Sequence, residues 1–210
     1  GLSISVWDSL KERNIKIIQE IHDQYMTCIN SNAFKGKYCE SPCLLCKTFR
    51  IPHKSKSANV DSVIGVSKFV LDRFVDLGYY KNAKKFVLHN ARTFPIVENR
   101  LWQQGTPLKI GFIGNVSRVK GVDILVKAFV KTKLDATLTI AGMASDKPFL
   151  EELNSYKEKN SRINIVGFMN SQEFYQQVDV VVIPSVWPDT FPTVAFEACA
   201  NNVPVLCSRI

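Results

Sequence analysis

The strongest constraint on the fold is a regular alternation of short apolar runs and helix-like segments between residues 108 and 208. The runs "LKIGFIGN" (108–115), "ATLTIAG" (136–142) and "VDVVVIPS" (178–185) are typical of buried strands, and "KGVDILVKAFVKT" (120–132) has helical spacing. Strands that alternate with helices build parallel sheets through right-handed crossovers. Continuous apolar strands suit such sheets because helices cover both faces. The sequence therefore predicts an α/β fold with parallel sheets.

The same rhythm continues to the end of the chain. It predicts strands at 163–168 and 203–208, and helices near 147–160, at 171–177 and near 193–201, with Ser171 as an N-cap. The helix at 120–132 should bury one face, made of Val122, Leu125, Val126, Phe129 and Val130.

The first half of the chain predicts a second β–α–β unit. An amphipathic first helix has Ile4, Trp7, Leu10 and Ile15 on one side, and a strand-like run follows at 15–23. Residues 24–59 read as irregular. A strand at 60–67, a helix at 67–80 capped by Ser67 and a strand at 84–90 complete the unit. We expect an N-terminal domain at 1–92, a linker at 93–107 and a C-terminal domain at 108–210.

Composition narrows the classes of function. A hydrophobic fraction of 46% with 22% charged residues is ordinary for a globular protein, and no run approaches the length of a membrane span. No signal-peptide pattern opens the chain, so a cytoplasmic location is expected. The net charge of +8 favours a phosphate-bearing substrate or an anionic membrane surface. Nucleic acid is disfavoured because no basic motif is interleaved with aromatic residues.

Six cysteines fall into two groups. Cys199 and Cys207 lie in apolar stretches and are expected to be buried small hydrophobes. A second group has C-x10-C-x3-C-x2-C spacing, and its thiolates could hold a structural zinc ion. Free thiols in a loop are the alternative. This second group consists of Cys28, Cys39, Cys43 and Cys46.

Ligands of parallel α/β sheets bind outside the carboxyl ends of the strands, where "GNVSRVKG", "GMASD" and "PDTFPTVAFE" are expected. The first is a strand–glycine loop–helix segment that suits phosphate, with Lys120 adding charge, although a plain turn with a solvated lysine is the alternative. In the third, Asp189 and Glu197 flank the start of a helix, with Pro192 in its first position. These two carboxylates either bind ligand hydroxyls or are ordinary loop and helix acids.

In order and spacing, "GFIGNVSRVKGVDILVKAF", "LTIAGMASD", "INIVGFMNSQEFYQQVDVVVIPS" and "PDTFPTVAFEACANNVPVLCS" resemble the donor domain of the family 4 retaining glycosyltransferases. The resemblance covers residues 108–208, and the first half resembles the acceptor domain more loosely. It implies the GT-B fold, two Rossmann-like domains, with the N-terminal one incomplete here and the C-terminal one cut short. "HDQYMTC…CESPCLLC" resembles a subgroup that builds surface polysaccharides.

The resemblance also implies roles for single residues. Asp189 would contact the donor sugar, and Glu197 would bind the ribose hydroxyls. Lys120 would bind the diphosphate, together with Arg118 and the helix start at 192–194. His22 would lie near the reacting sugar and acceptor, although a structural His–Asp hydrogen bond is the alternative. Pro192 stands where the family usually has Gly, and Asn115 where it often has Arg. The remaining donor-binding predictions are Gly114, Asn115, Gly142, Val166, Phe191, Pro192, Thr193 and Val194.

The expected activity is sugar transfer with retention from a nucleotide-diphosphate sugar to a saccharide or lipid-linked acceptor, with no cofactor required for catalysis. Peripheral contact with an anionic membrane is expected as well. Two other functions stay open. One is a non-catalytic or inactive truncated binding module, and the other is a sugar-nucleotide epimerase or glycogen-type synthase of the same fold.

Overall fold

The structure is a computed structural model that describes residues 3–94, 96, 97 and 102–210. It divides into two compact units. Unit 1 comprises Gly1–Ala91 together with the short segment Asp189–Phe191, and unit 2 comprises Arg92–Pro188 and Pro192–Ile210. Of the linker predicted at 93–107, residues 95 and 98–101 lie outside the described part of the chain.

Unit 1 contains a three-stranded sheet with all strands parallel, in the order β1-β2-β3. Its elements are α1 (Val6–Glu12), β1 (Ile18–Ile21), α2 (Leu44–Phe49), α3 (Ile51–Lys56), a 3-10 helix (Ser57–Asn59), β2 (Ser62–Gly65), α4 (Lys68–Asp76) and β3 (Lys84–Val87). The predicted cap of α4 is confirmed, since the Ser67 hydroxyl accepts a hydrogen bond from the Val70 amide.

The core of unit 1 lies between α1, α4 and the sheet. Trp7 of α1 and Phe74 of α4 are buried in one cluster with Val63 of β2. Ile15, predicted on the same face as Trp7, is instead 46% exposed. The helix ends at Glu12, and Asn14 takes a left-handed conformation that turns the chain away before Ile15 is reached.

The prediction that residues 24–59 are irregular is wrong for their last third, which forms α2 and α3. Each helix has six residues, too few for a 3.6-residue period to repeat in the sequence. Pro52 lies in the first turn of α3, where a proline needs no hydrogen-bonded amide.

Unit 2 is a five-stranded parallel sheet in the order β6-β5-β4-β7-β8. Its elements are β4 (Leu108–Ile113), a 3-10 helix (Arg118–Lys120), α5 (Val122–Lys131), β5 (Ala136–Ala141), α6 (Lys147–Lys159), β6 (Ile163–Gly167), α7 (Ser171–Gln177), β7 (Val180–Ile183), α8 (Thr193–Ala200) and β8 (Val205–Cys207). The predicted α/β fold with parallel sheets is confirmed.

Two local predictions in unit 2 are wrong. Val130 is 40% exposed, because it follows the buried Phe129 and points about 100° further around α5. Ser171 is the first residue of α7 rather than its cap. Asn170 fills the cap position and accepts a hydrogen bond from the Gln172 amide.

Cys199 and Cys207 are exposed, contrary to the prediction that both are buried. Ala198 is the buried residue of α8, so the adjacent Cys199 points outward. Cys207 ends β8, where one side has no neighbouring strand among the residues that the structure describes. Within the described residues, no helix is long and apolar enough to cross a membrane.

Candidate functional site

The strand order of unit 2 places a ligand-binding position at the carboxyl end of β4. From β4 the chain adds β5 and β6 on one side, then returns to the other side of β4 for β7 and β8. At such a reversal the two crossovers leave in opposite directions and open a crevice. The loops that follow these strands are therefore where a ligand is expected.

A cavity of about 610 Å³ lies in unit 2 at this place. Its volume is in the range of small-molecule sites. The ends of three adjacent strands and the segments after them line it: residues 113–115 at the end of β4, 142 and 143 after β5, and 168–171 between β6 and the start of α7. Arg92, Thr93 and Phe94 line another side, and Glu197 of α8 completes the wall.

Main chain forms part of the cavity wall, because two glycines allow β4 and β5 to meet closely beyond their ends. Gly114 and Gly142 have φ values of 145° and 143°, in the region that side chains disfavour. A Cβ atom on Gly142 would overlap the Gly114 carbonyl oxygen. The Gly142 amide donates to the Gly167 carbonyl at 2.6 Å, which joins the ends of β5 and β6.

Glu197 reaches the cavity from the second turn of α8, and its residue is half-buried. The backbone beneath it is held by Asn201, which is fully buried. The Asn201 side-chain amide donates to the Glu197 carbonyl at 2.9 Å, and its oxygen accepts from the Val97 amide at 2.8 Å. Burial raises the pKa of the neighbouring Tyr175 phenol, and the negative charge of Glu197 raises it further.

Pro192 occupies the N-cap position of α8, not the first helical position as predicted. The helix then begins with Thr193 and Val194. Their amides belong to the first turn of α8. Amides in the first turn have no hydrogen-bond partner within the helix, and the positive end of the helix dipole lies there.

The loop after β4 packs against the segment that follows β7. Gly121 has a φ of 67°, and a Cβ atom there would overlap the Pro184 carbonyl oxygen. The Val186 amide donates to the Val119 carbonyl at 3.1 Å. The Lys120 ammonium lies 6.0 Å from the Trp187 ring centroid, so this lysine lies next to the segment after β7.

Arg118 is bound to α6. Its guanidinium donates to the Glu152 carboxylate at 2.6 Å and lies 4.6 Å over the Phe149 ring. The hydrogen bond from Arg118 holds the pKa of Glu152 below its usual value. Arg118 would have to leave this carboxylate to take up the phosphate-binding role that the resemblance implied.

The structure brings four of the predicted donor-binding residues to the cavity: Gly114, Asn115, Gly142 and Glu197. Those predicted residues of unit 2 that do not line it are Arg118, Lys120, Val166, Pro192, Thr193 and Val194.

Sequence reasoning missed the wall formed by Arg92, Thr93 and Phe94, because this stretch has no periodicity and was assigned to a domain boundary. Met143 lies in "GMASD", which was expected at a strand end, although it was not among the predicted donor-binding residues. Sequence reasoning also missed residues 168–171, which lie at and just after the end of the strand predicted at 163–168, where ligands of such sheets bind.

The predicted residues His22, Asp189 and Phe191 all fall within unit 1. The Nε2 atom of His22 lies 3.0 Å from a carboxylate oxygen of Glu20. The alternative of a His22–Asp23 hydrogen bond is not seen. The Asp23 carboxylate instead accepts a hydrogen bond from the Tyr25 amide at 2.8 Å.

The short segment Asp189–Phe191 is attached to unit 1 at two points. The Thr190 hydroxyl donates to the His22 carbonyl at 2.6 Å. The Phe191 ring stacks on His89, with ring centroids 5.2 Å apart and planes 16° apart. Phe191 is therefore in aromatic contact within unit 1 and does not line the cavity of unit 2.

Comparison with known proteins agrees with this architecture. The family "Glycosyl transferases group 1" matches residues 98–210, more than half of the chain. The chain belongs to this family. The match includes Asn115, Gly142 and Glu197 of the cavity but does not include Arg92, Thr93 or Phe94.

Among relatives, the chain is 23% identical over 211 residues to an "uncharacterized 42.6 kDa protein in cps region" of Klebsiella pneumoniae, covering 100% of this chain and 55% of the relative. It is 35% identical over 104 residues to an uncharacterized glycosyltransferase of Methanocaldococcus jannaschii, covering 47% of this chain and 26% of the relative. The chain thus spans about half the length, or less, of these curated relatives.

Solved structures match the fold. Anabaena Alr3699/HepE in complex with UDP and glucose has a TM-score of 0.72 at 17% identity, covering 97% of this chain and 55% of that one. The pneumococcal O-GlcNAc transferase GtfA, in complex with UDP and GlcNAc, has a TM-score of 0.66 at 17% identity, covering 100% and 40%. The parallel α/β fold is that of the GT-B glycosyltransferases, as predicted.

Proposed function

We propose that this chain is part of a glycosyltransferase that moves a sugar, with retention, from a nucleotide-diphosphate sugar to a saccharide or lipid-linked acceptor. The observation that carries the proposal is the cavity of about 610 Å³ at the carboxyl ends of β4, β5 and β6, with Glu197 in its wall. Similar structures contain UDP together with a sugar, which supports a nucleotide-sugar donor.

In the proposed donor complex, the Glu197 carboxylate accepts hydrogen bonds from the two ribose hydroxyls. A carboxylate has enough lone pairs to accept both hydrogens, and charge-assisted hydrogen bonds are stronger than neutral ones. Asn201 keeps the backbone of Glu197 in place through its buried hydrogen bonds.

Positive groups of the protein, rather than a metal ion, are proposed to bind the diphosphate. The candidates are the first amides of α8, the Lys120 ammonium and the Arg92 guanidinium of the cavity wall. As the bond from the anomeric carbon to the diphosphate breaks, negative charge grows on the leaving oxygen. Preformed positive groups at that oxygen lower the barrier because they need no reorganisation during the reaction.

Retention is proposed to follow from attack by the acceptor hydroxyl on the side from which the diphosphate leaves. Its proton passes to the departing phosphate, so no protein nucleophile is needed. Asp189 is proposed to bind the donor sugar, and His22 to lie near the reacting groups, as the resemblance implied. A role in surface polysaccharide synthesis is supported by the Klebsiella relative, which belongs to a cps region.

Contact with the cytoplasmic face of an anionic membrane is the other part of this proposal. It rests on α2 and α3, where Leu44, Phe49 and Ile51 are 79%, 64% and 63% exposed. Lys47 and Lys54 belong to the same two helices, and residues 44–56 contain no acid. Exposed apolar groups beside cations suit an anionic lipid surface. Sedimentation with phosphatidylglycerol vesicles should fall when Phe49 and Ile51 are changed to Ser, and unchanged sedimentation would count against membrane contact.

The donor site is tested by titrating UDP and a panel of nucleotide sugars into the chain by calorimetry. Glu197→Gln should weaken UDP binding by about tenfold or more, since a charge-assisted hydrogen bond contributes about 1.5–3 kcal/mol. Glu158→Gln, an exposed glutamate of α6, is the matched control and should bind like the parent. Absence of binding by every nucleotide tested would overturn the proposed donor site.

Product analysis separates the proposed transfer from the two alternatives. Mass-detected transfer of sugar to an acceptor, with the anomeric configuration retained, supports a transferase. An altered sugar on the same nucleotide would indicate an epimerase instead. Nucleotide binding without turnover would indicate a binding module.

A further inference from the structure

The segment between β1 and α2 differs from the rest of unit 1 in how it is held. Residues 22–43 contain one isolated bridge, Phe34–Tyr38, and no helix or strand. Structureless connections longer than about 12–15 residues are uncommon in compact domains unless they carry a function. Ser31 and Ala33 both take left-handed backbone conformations, and Ala33 is buried, so the surroundings impose a defined course on this segment.

Of the side chains that this segment buries, Met26 joins the main core of unit 1, whereas Cys28 and Ala33 belong to a cluster of their own. One separate cluster contains Cys28, Ala33 and Cys46 as buried members, with Tyr38, Cys39 and Cys43 packed against them. We call these six residues the cysteine cluster. A cluster with one alanine and one tyrosine besides its cysteines buries little apolar surface of its own. Small units of this kind are usually held by a metal ion or by disulfides.

We propose that Cys28, Cys39, Cys43 and Cys46 bind one zinc ion that holds the segment between β1 and α2 in place. The sulfurs of Cys28 and Cys46 are 3.9 Å apart. Two sulfurs on a tetrahedral zinc ion, each about 2.3 Å from the metal, are about 3.8 Å apart. The C-x3-C and C-x2-C spacings of the last three cysteines lie within the range of structural zinc sites.

Across the described residues, no group of three or more His, Cys, Asp or Glu side chains is positioned to hold a metal ion. Binding therefore requires the thiols of Cys39 and Cys43 to turn toward the pair formed by Cys28 and Cys46. Cys43 and Cys46 already lie on the same side of α2, because residues three apart at the beginning of a helix face the same way.

Cations are placed to offset the charge of such a site, since zinc with four thiolates carries a net charge of −2. The Lys35 ammonium lies 3.6 Å from the Cys43 sulfur. The Arg73 guanidinium donates to the Cys39 carbonyl at 2.6 Å, and the Arg50 guanidinium donates to the Cys28 carbonyl at 3.0 Å. Lys35, Arg50 and Arg73 therefore lie around the four cysteines. The two arginines bind the backbone carbonyls of Cys28 and Cys39. Groups that surround a metal site in this way orient the ligands and tune affinity.

The proposal is tested by purifying the chain under reducing conditions with zinc present, removing loose metal and measuring zinc by mass spectrometry. We expect about one zinc ion per chain. Replacement by cobalt should give the visible d–d bands and the thiolate charge-transfer band of a tetrahedral site with four sulfur ligands. Cys43→Ser should lose the metal, and Cys199→Ser, which changes an exposed cysteine of unit 2, should retain it.

The wild-type measurements keep the test decisive even if Cys43→Ser fails to fold. Background zinc content, together with reaction of all six thiols with a thiol reagent in the folded chain, would overturn the proposal. A disulfide between Cys28 and Cys46, found by mass after purification under reducing conditions, would overturn it too. So would full retention of zinc and of the cobalt bands by Cys43→Ser. None of these results depends on nucleotide binding or sugar transfer.

Discussion

The close approach of β4 and β5 behind the cavity predicts a large difference between two glycine substitutions. In Gly142→Ala, the new Cβ would overlap the Gly114 carbonyl oxygen and lie 2.8 Å from its carbon, inside the 3.0 Å limit that real Cβ atoms keep. Both partners are main chain, so no side chain can rotate away. In Gly167→Ala, by contrast, no atom lies within 4 Å of the new Cβ, although φ is again positive, at 70°.

The expected losses in the free energy of unfolding follow from the difference between these two glycine sites. A side chain at positive φ costs about 1–2 kcal/mol, and we expect this for Gly167→Ala. Gly142→Ala carries a comparable backbone cost. To relieve the overlap, the strand ends must also separate. That separation strains the bonds from the Gly114 amide to the Ala141 carbonyl and from the Val116 amide to the Met143 carbonyl. At about 0.5–1.5 kcal/mol for each bond, the total for Gly142→Ala is about 2–5 kcal/mol.

Urea unfolding followed by circular dichroism measures both free energies of unfolding. Gly142→Ala should be less stable than Gly167→Ala by at least about 1 kcal/mol, the contribution of the two strained hydrogen bonds. Equal destabilisation would refute it, because the close approach of the two strand ends would then have no energetic consequence.

The remaining predictions concern single side chains. Asn201→Ala should lower the free energy of unfolding by about 1–3 kcal/mol, measured by urea unfolding, because the Val97 amide loses its buried acceptor. Arg92→Gln should weaken UDP binding about tenfold in calorimetry, whereas Arg118→Gln should leave it unchanged because Arg118 binds Glu152 outside the cavity. Equal effects of the two substitutions would contradict that placement. The pKa of Asp61 is lowered, first by the hydrogen bond from the Ile17 amide and then by the one from Lys11. Its contribution is therefore present above the unfolded pKa of about 3.9 and is lost as the pH falls through the lower folded value. Asp61→Asn should flatten the acid limb of a thermal-melting profile below about pH 4, and an unaltered limb would refute this.

The strand–helix order of unit 2 was predictable because a parallel strand buried on both faces has to be apolar along its whole length. The run "VVVIP" within "VDVVVIPS" therefore indicated β7 directly. Glu197 stood out for a related reason, since an acid within the apolar "VAFEACA" needs a partner. The short helices α2 and α3 could not be found in this way, because six residues contain too little of a helical period.

The exposure of single side chains depended on packing. Cys199 and Cys207 lie in apolar stretches, yet the outward side of α8 and the position of β8 at one end of the described strand order leave both exposed. Val130 differs from Phe129 only by one step around α5. Sequence patterns average over several residues, whereas burial is set separately for each side chain by its neighbours in space.

The sequence by itself determined the parallel α/β class, the family resemblance and the strand-end loops in which a ligand should bind, because these follow from local periodicity and from the order of motifs. Tertiary structure alone decided which of those loops share a cavity. It placed Arg92 in the wall with Glu197, attached Arg118 to α6 and joined the segment at Asp189 to unit 1. Each outcome depends on contacts between residues far apart in the chain, which no local pattern specifies.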